Sequence, residues 1–165
     1  MLFRYLAAAA VAIAYFLPMA FPAAAQENAP QVAPSLADLR TDMRMAAAFA
    51  TMVGESEIPE WIHDKAVTSP GDRVSFGGRD YLAMSACEEH LCGPHRMAVL
   101  YDEGKGVMYG VIATSDDEAG TEALTWLNIG GGPEGIDGKS LLYATLSGSV
   151  TNHPQDFRYL PETEE

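Results

Sequence analysis

The spacing of apolar residues changes near residue 70 of this chain, and that change limits the folds open to it. Before this point, apolar residues recur every three or four positions, as in a helix that buries one face. After it, short apolar runs bounded by glycine or charged turns indicate antiparallel strands. Helices outside a run of strands are typical of an α+β fold, so we predict a central antiparallel sheet of about five strands flanked by helices.

The helical pattern begins at Ser35, because a serine followed by Asp38 three positions later is typical of a helix N-terminal cap. Apolar residues at helical spacing continue to Val53, and Gly54 then ends the helix. The residues predicted to face the core are Leu36, Leu39, Met43, Ala46, Ala47, Ala50 and Val53.

Two further helices are predicted on either side of the strands. Residues 58–62 form the first, with Pro59 in its opening turn and Trp61 in the core. The second is capped by Asp137 and ends near Gly148. The residues of this last helix predicted to face the sheet are Leu141, Leu142, Thr145 and Leu146.

The strand pattern is divided by two predicted hairpin turns. Gly77 and Gly78 form one, and residues 102–106 form the other. The predicted strands cover residues 74–76, 81–86, 97–101, 107–113 and 123–129.

The N-terminus carries the pattern of an export signal. Arg4 precedes an apolar run over residues 6–20, and alanines at positions 23–25 form a small-residue cleavage site. The run is also about as long as a short membrane anchor, but two prolines and the cleavage site favour removal of residues 1–25. We therefore predict a protein that is exported from the cytoplasm and soluble after cleavage.

The rest of the chain is long enough for one domain of about 140 residues. We predict a flexible segment over residues 26–34, a single domain over residues 35–160 and an acidic tail over residues 161–165.

The charge balance limits the partners that the protein can bind. The chain carries 23 acidic and 10 basic residues, a net charge of −13. Such a charge repels nucleic acid and anionic lipid, and it speeds encounter with a basic protein. We therefore predict no nucleic-acid partner and no membrane partner after signal cleavage, whereas simple solubility is the other explanation for the charge.

A glycine pattern, Gly130-x-Gly132-x-x-Gly135, formally matches the dinucleotide-binding fingerprint. Pro133 removes one of the amides that would hold the pyrophosphate, and no parallel crossover unit is predicted around it. We interpret the segment as a flexible turn and expect no cofactor.

Four side chains that can bind metal lie close together, namely Cys87, His90, Cys92 and His95. Outside the cytoplasm, two cysteines this close favour a disulfide over a zinc site. Their four-residue spacing also differs from the Cys-x-x-Cys pattern of redox dithiols. We therefore expect no bound metal, with a metal-binding module kept as an alternative.

No catalytic motif stands out along the chain. It contains no nucleophile elbow, and no paired carboxylate lies near a histidine at a recognisable spacing. We predict that the protein is not an enzyme, although triads assembled from distant residues stay open at this level.

A short loop remains as the candidate functional element. A disulfide between Cys87 and Cys92 would contribute only roughly 2 kcal/mol of chain-entropy stabilisation, so its main effect is to make the loop rigid. A rigid protruding loop lowers the ordering cost of binding, and His90 lies at its apex. His90 as an exposed histidine without a role is the alternative.

The chain resembles the Ivy family, the periplasmic inhibitors of vertebrate lysozyme, from about residue 46 to residue 159. The resemblance rests on motifs in the order of the chain, which are Ile58-Pro59-Glu60-Trp61, Tyr81-x-x-Met84-Ser85-Ala86-Cys87, Arg96-Met97-Ala98-Val99, Leu124-Thr125-Trp126-Leu127-Asn128, Ile136-Asp137-Gly138-Lys139 and Leu146-x-Gly148-Ser149-x-x-Asn152-His153-Pro154. It implies a central antiparallel sheet flanked by helices, and a periplasmic location.

The resemblance also implies an inhibitory loop of the form Cys-Lys-Pro-His-Asp-Cys, whose histidine enters the cleft of the target. His90 occupies the place of that histidine, and Glu88, Glu89 and Leu91 are the other implied contacts. The implied partner is a C-type lysozyme, or another muramidase or lytic transglycosylase. The oligomeric state stays open, a homodimer included.

This sequence departs from the family loop, because Glu88 replaces lysine, Glu89 replaces proline and Leu91 replaces aspartate. A carboxylate about 7 Å from a catalytic carboxylate costs roughly 2 kcal/mol at an effective dielectric constant near 20. We therefore expect that restoring lysine at Glu88 or proline at Glu89 leaves affinity unchanged or improves it. A protein of this fold that restrains endogenous cell-wall lytic enzymes, and an exported ligand-binding module, are the alternative functions.

Overall fold

The computed structural model describes residues 32–130 and 133–157. The predicted signal peptide, residues 26–31 of the predicted flexible segment, Gly132 and the predicted acidic tail lie outside the described residues. The helices are α1 (Met43–Val53), α2 (Trp61–Asp64), α3 (Pro133–Leu146) and α4 (Ser149–Asn152), with 3-10 helices at Leu36–Arg40 and Pro154–Phe157. The strands are β1 (Ala66–Thr68), β2 (Asp72–Phe76), β3 (Arg79–Glu88), β4 (His95–Asp102), β5 (Val107–Asp116) and β6 (Thr121–Leu127).

The strands form one antiparallel sheet in the order β1-β3-β4-β5-β6. β2 also pairs with β3, so β1 and β2 share one side of that strand. The predicted α+β class is confirmed, with six strands rather than about five. The additional strand is β1, which spans only three residues and has too few side chains to show an alternating pattern.

Helices cover both faces of the sheet. On β4, Met97, Val99 and Tyr101 face the layer that contains α1 and α2. Ala98 and Leu100 face the layer that contains α3 and α4. Successive strand residues point to opposite faces, so this continuous apolar run serves two cores.

The first helix differs from its prediction. Ser35 forms the predicted capping box with Asp38, but the helix that it begins is a 3-10 helix ending at Arg40. Asp42 then caps α1, its carboxylate accepting from the amides of Arg44 and Met45. The predicted face is confirmed for Leu36, which is buried, and for Leu39 and Val53, which pack against the core. The new start shifts the helical phase within α1, so the prediction is wrong for Met43, which is 87% exposed, and for Ala47 and Ala50, which are also exposed. The buried residues of α1 are Met45, Ala48, Phe49 and Met52.

Gly110 of β5 allows α1 to approach the sheet closely. A β-carbon at this position would lie 2.8 Å from the sulfur of Met52, which is too near for ordinary contact. The glycine therefore makes room for Met52 in the core.

The core residues predicted in the other two helices are confirmed. Trp61 is buried as predicted, but α2 begins at this residue, so Pro59 precedes the helix and does not lie in its first turn. The predicted face of α3 is confirmed, since Leu141, Leu142, Thr145 and Leu146 are all buried. The helix begins at Pro133, ahead of the predicted cap at Asp137, and proline is favoured in the first turn of a helix.

Among the described residues, no helix is both long enough and apolar enough to cross a lipid bilayer.

Candidate functional site: the disulfide-closed loop between β3 and β4

The loop over residues 89–94 connects β3 to β4 at one end of the sheet. Cys87 near the end of β3 is bonded to Cys92, with their Cα atoms 4.7 Å apart, which confirms the predicted disulfide. Both sulfur atoms are therefore unavailable as thiolate ligands for a metal. In the parts of the chain that the structure describes, no three His, Cys, Asp or Glu side chains converge as a metal site.

Backbone hydrogen bonds attach both ends of the loop to neighbouring strands. The amide of Glu89 donates to the carbonyl of Lys65, the residue before β1, at 2.9 Å. The amide of Ser115 in β5 donates to the carbonyl of Pro94, also at 2.9 Å. The loop is thus held by its own disulfide and by the strands that border it on each side.

His90 lies at the apex of a tight turn inside the disulfide ring. The turn is closed by the amide of Leu91, which donates to the carbonyl of Glu88 at 2.9 Å. His90 has a φ of 67°, a left-handed conformation that side-chain-bearing residues rarely adopt. Its side chain is 88% exposed, so the imidazole projects into solvent from a constrained backbone.

The two glutamates of the loop have different surroundings. Glu88 points back along the sheet, where its carboxylate contacts Nδ1 of His95, and its side chain is only 21% exposed. Glu89 is 58% exposed, and its carboxylate lies 3.8 Å from Nε2 of His90, beyond hydrogen-bond distance. Of the two, only Glu89 presents its charge beside the apex.

Leu91 completes the exposed surface of the turn, since it is among the large apolar residues left in solvent. Its side chain follows His90 directly, whereas Glu88 lies on the strand below. The structure therefore groups Glu89, His90 and Leu91 at the tip and places Glu88 at the base.

The hairpin between β5 and β6 lies at the same end of the sheet as the loop, because His95 pairs with Thr114 across β4 and β5. It exposes Asp116, Asp117 and Glu118. These carboxylates make the surface beside the loop acidic.

Sequence reasoning missed two parts of this site, namely His95 as the partner of Glu88 and Lys65 as the acceptor for Glu89. Both contacts depend on the register of β1, β3 and β4. No local sequence motif predicts that register.

The glycine pattern near residue 130 has no dinucleotide-binding context. Every strand pair in the described sheet is antiparallel, so the parallel β-α-β unit that such a fingerprint requires is missing from this part of the chain.

Comparison with known proteins points to the same family by two routes, a family model and similar sequences. Residues 44–144 match the family model described as inhibitor of vertebrate lysozyme (Ivy), a range that includes the whole disulfide ring. The chain is similar to the inhibitor of vertebrate lysozyme of Escherichia coli (strain K12), with 40% identity over 113 residues, or 68% of this chain and 71% of that protein. It is also similar to the inhibitor of vertebrate lysozyme of Pseudomonas aeruginosa, with 32% identity over 74 residues, or 44% of this chain and 48% of that protein.

Proposed function

This chain belongs to the Ivy family of inhibitors of vertebrate lysozyme, and from this premise we propose that it inhibits a C-type lysozyme by inserting the His90 loop into its catalytic cleft. Family members are inhibitors rather than enzymes. The observation that carries the proposal is the exposed imidazole of His90 on a turn fixed by a disulfide.

The imidazole has the chemistry to occupy such a cleft. Lysozyme cleaves glycosidic bonds with two carboxyl groups, one protonated and one ionised. An imidazole can donate from one ring nitrogen and accept at the other, so it can bond to both groups. A hydrogen bond with an ionised partner is worth roughly 1.5–3 kcal/mol, and the inserted loop also excludes the polysaccharide.

The backbone of the loop favours tight binding because the loop is already ordered before it meets the target. The disulfide fixes the ring, and the bonds to Lys65 and Ser115 fix its two ends. Each restraint lowers the conformational entropy that the loop loses on entering a cleft.

Charge supports encounter with the target. The chain has a net charge of −13, lysozyme is basic, and the acidic hairpin with Asp116, Asp117 and Glu118 lies beside the loop. Opposite charges raise the association rate more than they raise the final affinity. Glu89 acts in the other direction, because its exposed carboxylate would approach the catalytic carboxyl groups.

The proposed site of action is the periplasm. Residues 1–25 carry the pattern of a cleaved export signal, and a disulfide persists in that oxidising compartment. An inhibitor there would protect peptidoglycan from lysozyme that crosses the outer membrane.

The decisive experiment is an inhibition titration of a C-type lysozyme with the wild-type protein, His90→Ala and His153→Ala. His153 is an exposed histidine outside the loop and serves as the matched control. We expect wild type and His153→Ala to inhibit equally and His90→Ala to be at least tenfold weaker, in line with the loss of a central interface anchor. Equal inhibition by all three proteins would refute insertion of His90.

A parallel titration of a bacterial lytic transglycosylase identifies the target class. Inhibition of that enzyme alone, with no effect on lysozyme, would mean that the protein restrains endogenous wall-lytic enzymes instead.

A further inference from the structure

We propose that the contact between Glu88 and His95 positions the His90 loop. These two residues would then affect binding by holding the loop in place, and not by contacting the target. The proposal rests on the proposed inhibitory function, but its central test uses the free protein. It assigns a role to two side chains that the mechanism of insertion itself does not require.

The pair lies where the two strands separate. Cys87 of β3 is aligned with Arg96 of β4, so Glu88 and His95 occupy the next positions on these strands. Their side chains meet across the strands, with Nδ1 of His95 against the carboxylate of Glu88. The contact therefore forms a side-chain link directly below the loop.

This link constrains a segment that the disulfide leaves free. The disulfide closes residues 87–92, whereas Gly93 and Pro94 lie between the ring and β4. Because Cys87 is held in β3 by its pairing with Val67 and Arg96, movement of this short connection would tilt the outer part of the ring, residues 89–92, and move His90. The Glu88–His95 contact joins the base of the ring to the first residue of β4 and thereby opposes such a tilt.

The environment of the pair makes it stronger than an ordinary surface pair. The side chains of Glu88 and His95 are 21% and 33% exposed, whereas those of Glu89 and His90 are 58% and 88% exposed. A carboxylate that accepts from an imidazole N–H forms a charge-assisted hydrogen bond, and partial burial protects that bond from solvent screening. The Glu89–His90 pair, at 3.8 Å, has no comparable bond.

The proposal reverses one expectation drawn from charge alone. If Glu88 only repelled the target, replacing it with lysine would improve binding. Because its carboxylate accepts from His95, Glu88→Lys places a second donor against the imidazole and breaks the link. We therefore expect Glu88→Lys to weaken inhibition.

Hydrogen exchange of the mature full-length protein, measured without any target, tests the positioning role. The reporters are the amides of Leu91 and His95, which donate to the carbonyls of Glu88 and Leu91 within the loop. We expect exchange at both amides to become about tenfold faster in Glu88→Ala and in His95→Ala. The backbone amide of the buried residue Met84 should exchange as in wild type, which separates loop opening from general unfolding.

Three further variants make this test specific. Glu88→Gln keeps an acceptor for His95 but loses the charge, so exchange should be slower than in Glu88→Ala and faster than in wild type. Glu89→Ala removes the neighbouring exposed carboxylate and should not change exchange at the reporter amides. The double variant Glu88→Ala/His95→Ala should exchange no faster than either single variant, since both remove the same bond.

The outcomes separate this proposal from the proposed function. Unchanged exchange in Glu88→Ala and His95→Ala, or Glu88→Gln as fast as Glu88→Ala, would overturn the positioning role whatever the inhibition assay shows. Faster exchange in the alanine variants together with a wild-type protein that inhibits no lysozyme would support the positioning role and refute the inhibitory function.

Discussion

The amide of Glu89 donates to the carbonyl of Lys65 at 2.9 Å, which attaches the first residue of the loop to the segment that leads into β1. A proline at position 89, as in the Cys-Lys-Pro-His-Asp-Cys loop of the family, would lack this N–H donor. The same position therefore affects both the charge near the target and the attachment of the loop.

Two substitutions at Glu89 separate these effects. Glu89→Gln removes the carboxylate and keeps the amide, so we expect up to about tenfold tighter inhibition as repulsion is relieved. Glu89→Pro removes both, so we now expect a smaller gain than for glutamine, or a loss, whereas charge alone predicted no loss. Inhibition constants for the two variants are the measurement. A proline variant tighter than the glutamine variant would show that the bond to Lys65 is unimportant.

His90→Gly and His90→Ala separate the imidazole from the backbone strain. Both lose the side chain, and we expect each to weaken inhibition by about 2 kcal/mol, or roughly 30-fold. Glycine adopts positive φ without strain, so His90→Gly should be more stable to denaturant than His90→Ala by up to about 1 kcal/mol. Equal stability of the two variants would contradict the left-handed conformation at this residue.

The disulfide should matter more to inhibition than to folding. We expect Cys87→Ser/Cys92→Ser to lose about 2 kcal/mol of unfolding free energy and to inhibit at least tenfold less well, since the ring that holds His90 opens. Urea denaturation and inhibition titration measure the two effects. A folded double variant with full inhibitory activity would exclude loop rigidity from the mechanism.

The association rate with lysozyme should fall as salt rises. Exposed charges are screened beyond about 8 Å at physiological ionic strength, so steering by the acidic surface weakens there. Stopped-flow measurements between low and high salt should show a falling association rate and a nearly constant dissociation rate. A flat association rate would remove steering from the account.

Gly110→Ala tests the close contact between α1 and the sheet. An added β-carbon would lie 2.8 Å from the sulfur of Met52, so we expect a loss of about 1–3 kcal/mol in unfolding free energy. Gly130→Ala is the control, because nothing lies within 4 Å of a β-carbon there, and its effect should be below about 0.5 kcal/mol. A similar loss in both variants would mean that glycine content, and not the Met52 contact, decides stability.

The sequence predicts the presence and order of the five longer strands well, because each carries enough side chains to show an apolar run. Most of their bounds differ from the predicted ones by a few residues, as β5 ends at Asp116 and not at residue 113. The hairpin at Gly77 and Gly78 lies between β2 and β3 as predicted. Trp61 and the apolar face of α3 are also found in the core. These features are local, so a pattern of neighbouring residues is sufficient to identify them.

The features that were mispredicted depend on competition between two helix caps or on the pairing between strands. Asp42 provides a second cap that divides the first helix, and a helical pattern read from Ser35 cannot show which cap sets the phase. β1 pairs with β3 and not with the next strand in the chain, and the Glu88–His95 contact depends on the register between β3 and β4. The loop could be located from the sequence, but its internal support could not.

The attachment of the loop has a consequence for how such proteins diversify. Apart from the disulfide and the Glu88–His95 pair, the anchors at Lys65 and Pro94 are carbonyl groups, which every residue type possesses. Mutations at Leu91 or at the apex can therefore accumulate without removing these anchors. A lineage could exchange the residues at the tip and acquire a new target while the scaffold stays the same.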